Sequence, residues 1–99
     1  MQITQYIDRT PKYYEKLTIT NAVVVQLTQA YREDSNAVFV TIEDNTIRYR
    51  IEGGDPTTGA EGHVVQATQS LFFVDKKSIR NLRMIATGGD AIAIVTYYK

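Results

Sequence analysis

His63 is the only histidine of the 99-residue chain, and three carboxylates, Glu52, Asp55 and Glu61, lie just before it. A histidine acting as acid, base or metal ligand needs partners, and the chain has no cysteine to help hold a metal. Paired carboxylates can hydrolyse a glycosidic bond, or bind Ca²⁺ together with backbone carbonyls. The spacing is not that of an EF-hand loop, whose acidic residues stand at closely set alternate positions. The pattern reads as solvated loop charge. Asp55 is expected to cap the turn before Pro56 and Thr57, and His63 to anchor the loop's exit through a hydrogen bond. No catalytic residue, metal site or cofactor is expected.

Two other motifs reduce to structure in the same way. Gly53-Gly54 and Gly88-Gly89 are followed neither by Lys-Ser/Thr nor by a helix, so they read as turns and not as phosphate cradles. Arg48 and Arg50 flank Tyr49, a composition that single-strand binders use. Strand alternation puts Tyr49 on the opposite face from the arginines, which breaks the stacking-plus-cation geometry. A salt-bridged or solvated outer face is expected, with no direct nucleic-acid binding.

These residues belong to one stretch, Thr46–His63, around which the chain is organised. Ile47, Tyr49 and Ile51 alternate with Arg48, Arg50 and Glu52, the period of a half-buried strand. Val38, Val40 and Ile42 in Ala37–Glu43 alternate likewise, and Asp44-Asn45 between the two runs is short enough for a hairpin. After the strand comes Gly53-Gly54-Asp55-Pro56-Thr57-Thr58-Gly59-Ala60-Glu61-Gly62, longer than a hairpin needs. Gly53, Gly54, Asp55, Pro56, Thr57, Thr58, Gly59 and Glu61 are therefore candidate partner-contact residues, or the components of a packed plug.

The remaining elements are strands. Tyr13–Thr20 and Ala22–Thr28 form two, with a Val23-Val24-Val25 run that is either buried on both faces or crosses between layers. Gln29–Asn36 is a surface connection with room for a helical turn. His63–Gln66 pairs with Ser70–Val74, and Asp75–Asn81 is a loop or single helical turn. Leu82–Ala86 and Ala91–Tyr98 close the chain as a hairpin over Thr87-Gly88-Gly89-Asp90. About eight short strands without an amphipathic helix indicate one all-β domain over residues 1–99, a single antiparallel β-sandwich or small barrel. Residues 1–12 are either a first strand or an N-terminal arm reaching a neighbour.

Net charge is zero, which argues against partners recruited by bulk charge. The N-terminus lacks a basic start and an apolar core, so no signal peptide is expected, and no run is long enough for a membrane helix. Seven tyrosines and no tryptophan suit sheets and interfaces.

The run Ile47-Arg48-Tyr49-Arg50-Ile51-Glu52-Gly53-Gly54-Asp55-Pro56-Thr57 carries two resemblances. Its Asp-Pro-Thr end resembles immunoglobulin-like modules of bacterial carbohydrate-active enzymes, which implies a carbohydrate- or ligand-binding sandwich. A longer order resembles small structural proteins of tailed bacteriophages and prophages. It comprises Asp55-Pro56-Thr57, Gly62-His63, two short strands, Leu82-Arg83-Met84-Ile85 and a terminal Val95-Thr96-Tyr97-Tyr98. Thr68-Gln69 departs from the Gly-Asp turn common there. This resemblance implies a non-enzymatic virion protein made in the bacterial host cytoplasm, a capsid decoration (cement) protein or a head/tail accessory protein. Its partners would be other virion proteins and itself, with a trimer favoured and a dimer next. Tyr6, Ile7, Tyr13 and Tyr14 are the candidate subunit interface. A third reading, a small lyase or isomerase on a barrel, would need a deep pocket joining His63 to a carboxylate.

Overall fold

The computed structural model describes residues 10–99. It contains β1 (Pro11–Ile19), β2 (Val25–Gln26), β3 (Ala37–Glu43), β4 (Ile47–Arg50), β5 (His63–Val65), β6 (Ser70–Phe73), β7 (Arg83–Ala86) and β8 (Ala91–Tyr98). Two short helices, α1 (Gln29–Arg32) and α2 (Lys76–Asn81), connect β2 to β3 and β6 to β7. The strands form two antiparallel sheets in the orders β1-β8-β3-β6 and β2-β7-β4-β5. Those orders are the two interleaved Greek keys of an eight-stranded jelly roll, a form of the expected all-β sandwich.

Alternation builds the two layers. β8 is buried at every second position, with Ala91, Ala93, Val95 and Tyr97 fully inside. Val38, Val40 and Ile42 of β3 face the same interior, and Ile47, Val65, Met84 and Ala86 close it from the second sheet. Leu27 before α1, Ile79 in α2 and Leu82 after it are buried in the same core. α2 begins where the Asp75 carboxylate accepts the Ser78 amide at 2.9 Å, an N-cap that satisfies one free helix donor. Among the described residues no helix is long and apolar enough to cross a membrane.

The short links do not make the expected hairpins. β3 and β4 lie in different sheets, as do β5 and β6, and β7 and β8. Asp44-Asn45, Gln66–Gln69 and Thr87–Asp90 are therefore crossings between layers. A two-residue type I′ hairpin turn needs positive φ at both central residues, and of this pair only Asp44 has it, at 77°. The crossings bond to one another instead. The Thr87 amide donates to Thr46 O at 3.0 Å, Asn45 Nδ2 to Asp90 O at 2.8 Å, and Asn21 Nδ2 to Gly88 O at 2.5 Å. The Val23-Val24-Val25 run leads out of the crossing after β1 into β2, which begins at Val25, with Val23 65% exposed. β4 ends at Arg50 and not at Glu52, so Ile51 packs on the core from the strand's exit and is only partly buried. Tyr49 is partly buried too, its ring 5.9 Å from Phe73 at 70°.

Candidate functional site

Residues 51–62 join β4 to its neighbour β5 within one sheet. The loop is held back against that sheet by arginines. Arg48 and Arg50 alternate with inward Tyr49, and Arg83 of β7 sits in register with Arg50. Arg83 Nη1 meets Asp55 Oδ1 at 2.8 Å, and Arg50 Nη2 meets Glu52 Oε2 at 2.6 Å. Arg50 also donates to Asp55 O at 3.2 Å and stands 3.9 Å from Glu61. Arg48 Nη1 donates to Gly62 O at 3.0 Å. The hydrogen bond from Arg50 holds the Glu52 carboxyl below its ordinary range, and Glu52 in turn raises Arg50.

Inside the loop the turn is capped by Thr57 and not, as expected, by Asp55. Thr57 Oγ1 accepts the amides of Ala60 and Glu61 at 3.1 and 2.8 Å, and the Thr57 amide donates to Glu61 O at 3.0 Å. Asp55 is drawn away because its carboxylate faces Arg83. Pro56 is the one buried residue of the loop, and Gly62 reaches its close approach with φ 109°. His63 is exposed and lays its ring beside Tyr49 at 5.2 Å, so the exit is held by Arg48 and by ring contact. Gly53, Asp55, Thr57, Thr58, Gly59 and Glu61 are exposed and Gly54 is half-buried, so this braced loop presents an ordered polar surface. Among the described residues no group of three or more His, Cys, Asp or Glu side chains is arranged to hold a metal ion.

The outer face of the other sheet is different in kind. Register sets Tyr14, Thr96, Phe39 and Phe72 side by side in one row across β1, β8, β3 and β6. Tyr14 is 63% exposed, Phe72 55% and Phe39 39%. Phe39 and Phe72 meet edge to face at 6.2 Å and 66°, and Phe72 meets Tyr98 at 6.2 Å and 88°. Beside the row, a shallow hollow is lined by Pro11, Lys12, Tyr13, Tyr14 and Thr96, where the β1 register shifts between Pro11 and Tyr13. Sequence reasoning misses the phenylalanines as site residues. Alternation in Ala37–Glu43 already turns Phe39 away from the core, but its partner Phe72 lies 33 positions further along and pairs only through the fold.

The expected interface residues separate. Tyr6 and Ile7 lie outside the described residues. Tyr13 and Tyr14 point to opposite faces of β1. Tyr13 turns inward, stacking on Tyr31 at 4.6 Å and donating its hydroxyl to Asp34 at 2.6 Å, whereas Tyr14 joins the open aromatic row. Asp34 also accepts from Lys12 at 3.0 Å and Lys99 at 2.6 Å, tying both ends of the described chain to the β2–β3 connection. Buried Tyr97 donates to Glu15, which also accepts from Thr28 Oγ1 at 2.5 Å. Burial, then that bond, raises the Tyr97 phenol above its ordinary range.

No family model, curated protein or solved structure matches this chain.

Proposed function

We propose that the chain is a non-enzymatic structural protein of a bacteriophage virion, a capsid decoration or head/tail accessory protein that works by self-association and by contact with other virion proteins. The observation that carries this reading is the aromatic row on the outer face of the β1-β8-β3-β6 sheet. Large apolar side chains on a sheet face are a contact surface when they are contiguous. Here they form a row, and the opposite sheet has its own loop braced against it by arginines. The jelly roll adds a fold-level analogy, because viral capsid domains and lectins both use it.

A sugar-binding module would offer flat ring faces. Phe39 and Phe72 meet at 66° and Phe72 and Tyr98 at 88°, so these rings do not lie in one plane as a flat sugar platform requires. The geometry thus favours a protein contact over a glycan contact. The resemblance favours a trimer, whereas the open face in isolation favours association without setting the copy number.

The test is to purify particles of the phage that encodes the chain and to quantify the chain by mass spectrometry against the major capsid protein. A fixed ratio matching positions on the capsid or tail is expected. Its absence from intact particles would overturn the reading.

A further inference from the structure

We infer that Arg48, Arg50 and Arg83 form a binding site for a small phosphate-type oxyanion, closed in this structure by the 51–62 loop, whose carboxylates stand in for the ligand. The inference is independent of the virion reading.

The sheet sets up the charge. Antiparallel pairing places Arg50 of β4 opposite Arg83 of β7, with Arg48 at the next position on the same face. Like charges opposite one another across a sheet destabilise it, so the trio calls for anions. The sheet supplies none, because β2, β4, β5 and β7 contain no Asp or Glu. The carboxylates that reach the trio, Glu52, Asp55 and Glu61, all belong to the loop.

Those carboxylates leave Arg48 unanswered. Arg48 is half-buried, and among the described residues it joins no ion pair. Its one hydrogen bond goes to a neutral acceptor, Gly62 O, at 3.0 Å. Arg48 Nε is buried without a partner, and so is Arg83 Nε. A buried donor costs free energy until it is bonded, and a charge costs more until it is paired. Arg32 has a third such Nε, but Glu33 stands 3.9 Å from it. Two guanidiniums on neighbouring strands therefore hold unused donors on one face. A phosphate-type dianion answers both, since its oxygens accept from the guanidinium fork and its charge matches the pair.

The loop has the build of a lid. Gly53 and Gly62, with φ 104° and 109°, stand at its two ends, and Thr57 holds the turn between them as one unit. Asp55 and Glu61 are both 63% exposed, so their pairs with Arg83 and Arg50 are weak and a ligand can displace them. Glu52 precedes the hinge at Gly53 and stays on Arg50. Lifting 54–61 thus frees Arg48 and Arg83 together.

The experiment is calorimetric titration of the full chain with inorganic phosphate at neutral pH, ionic strength being held with sodium chloride. A Kd of about 1 mM or tighter is expected. Amide exchange across 53–61 is expected to rise as phosphate replaces the loop carboxylates. Arg48→Gln and Arg83→Gln are each expected to weaken binding about tenfold or more, the loss of a charge-assisted hydrogen bond. Arg48→Lys, which keeps the charge and loses the fork, is expected between wild type and Arg48→Gln. Asp55→Asn removes the internal competitor and is expected to tighten binding by up to about fivefold, the worth of an exposed ion pair. Phosphoserine in place of phosphate separates a phosphorylated side chain from the free anion, and binding of either supports the site. Absence of binding by both would overturn the inference. So would a response that sodium chloride alone reproduces, binding that Arg48→Gln leaves unchanged, or weaker binding in Asp55→Asn.

Discussion

Arg83 Nη1 lies 2.8 Å from Asp55 Oδ1, although 28 positions separate the two residues. The pair fastens the tip of the 51–62 loop to β7, two strands away from the loop's own exit on β5. The carboxylate is 63% exposed, so the attraction is screened and the pair contributes about 0.2–1 kcal/mol. Arg83→Ala is therefore expected to leave global stability nearly unchanged while raising amide hydrogen exchange across 53–61. Unchanged exchange there would mean that Thr57 and Pro56 hold the loop without the arginine.

Two of that loop's four glycines, Gly62 and Gly59, answer differently to alanine. Gly62 has φ 109°, and a Cβ there would stand 3.0 Å from Tyr49 O and 3.0 Å from Pro56 Cβ. The backbone carbonyl has little freedom to retreat. Gly62→Ala is expected to cost about 1–3 kcal/mol, the range of a residue held in a disfavoured conformation. Gly59 has open space around its Cβ position, and Gly59→Ala is expected to stay within about 0.5 kcal/mol. Urea denaturation of the two variants side by side checks the difference.

Core depth separates Ile47 from Ile51. Ile47 is fully buried on β4, and Ile47→Ala is expected to cost about 2–5 kcal/mol through lost transfer energy and a cavity. Ile51 only packs on the core's margin, so Ile51→Ala is expected to fall below that range. Equal losses in melting curves would place both side chains equally deep.

The alternation in Ala37–Glu43 and Thr46–Glu52 makes those strands and their inner face legible in the residues alone, whereas in Ala91–Tyr98 both faces are apolar, Ala91, Ala93 and Val95 inside and Ile92 and Ile94 on the outer face, so only the strand is legible. Alternation does not reveal which strands pair. Two consecutive strands with apolar faces can lie side by side or stack face to face, and both bury the same residues. Asp44-Asn45 looks alike in either case, and the choice rests on its cross-links to the Thr87–Asp90 crossing, over 40 positions away. The loop is visible through its glycines and proline. Its brace is half visible, since Arg50 and Glu52 are two residues apart, whereas Arg83 enters only through the β4–β7 register. The aromatic row needs four strands in register and is hidden for the same reason.

Each loop carboxylate is within reach of an arginine: Glu52 and Glu61 of Arg50, Asp55 of Arg83. A cation would have to displace those partners. The melting temperature is therefore expected to be the same in EDTA and in excess Ca²⁺. A shift of several degrees would show a site, because a ligand bound only by the folded state stabilises it.

Asp34 gives the chain an acid-sensitive clasp. Hydrogen bonds from Lys99, Tyr13 and Lys12, in that order of effect, hold its carboxyl well below the ordinary value of 3.8. A carboxylate whose folded pKa is depressed contributes stability that is fully present above the unfolded value. That contribution is lost as pH falls from there through the folded value. At pH 7 Asp34→Asn is thus expected to melt below wild type, and the gap is expected to narrow as pH drops below about 4. The hydrogen bond to Asp34, and then burial, raises the Tyr13 phenol, so its share persists below its ordinary value of 10.0 and is lost as pH rises above it. Asp34→Asn should flatten the wild-type profile at both ends while leaving the neutral plateau level. Thermal melts of the two proteins from pH 2 to pH 11 measure this directly. A gap that stays constant below pH 4 would mean that the three bonds to Asp34 do not discriminate between its charged and neutral forms.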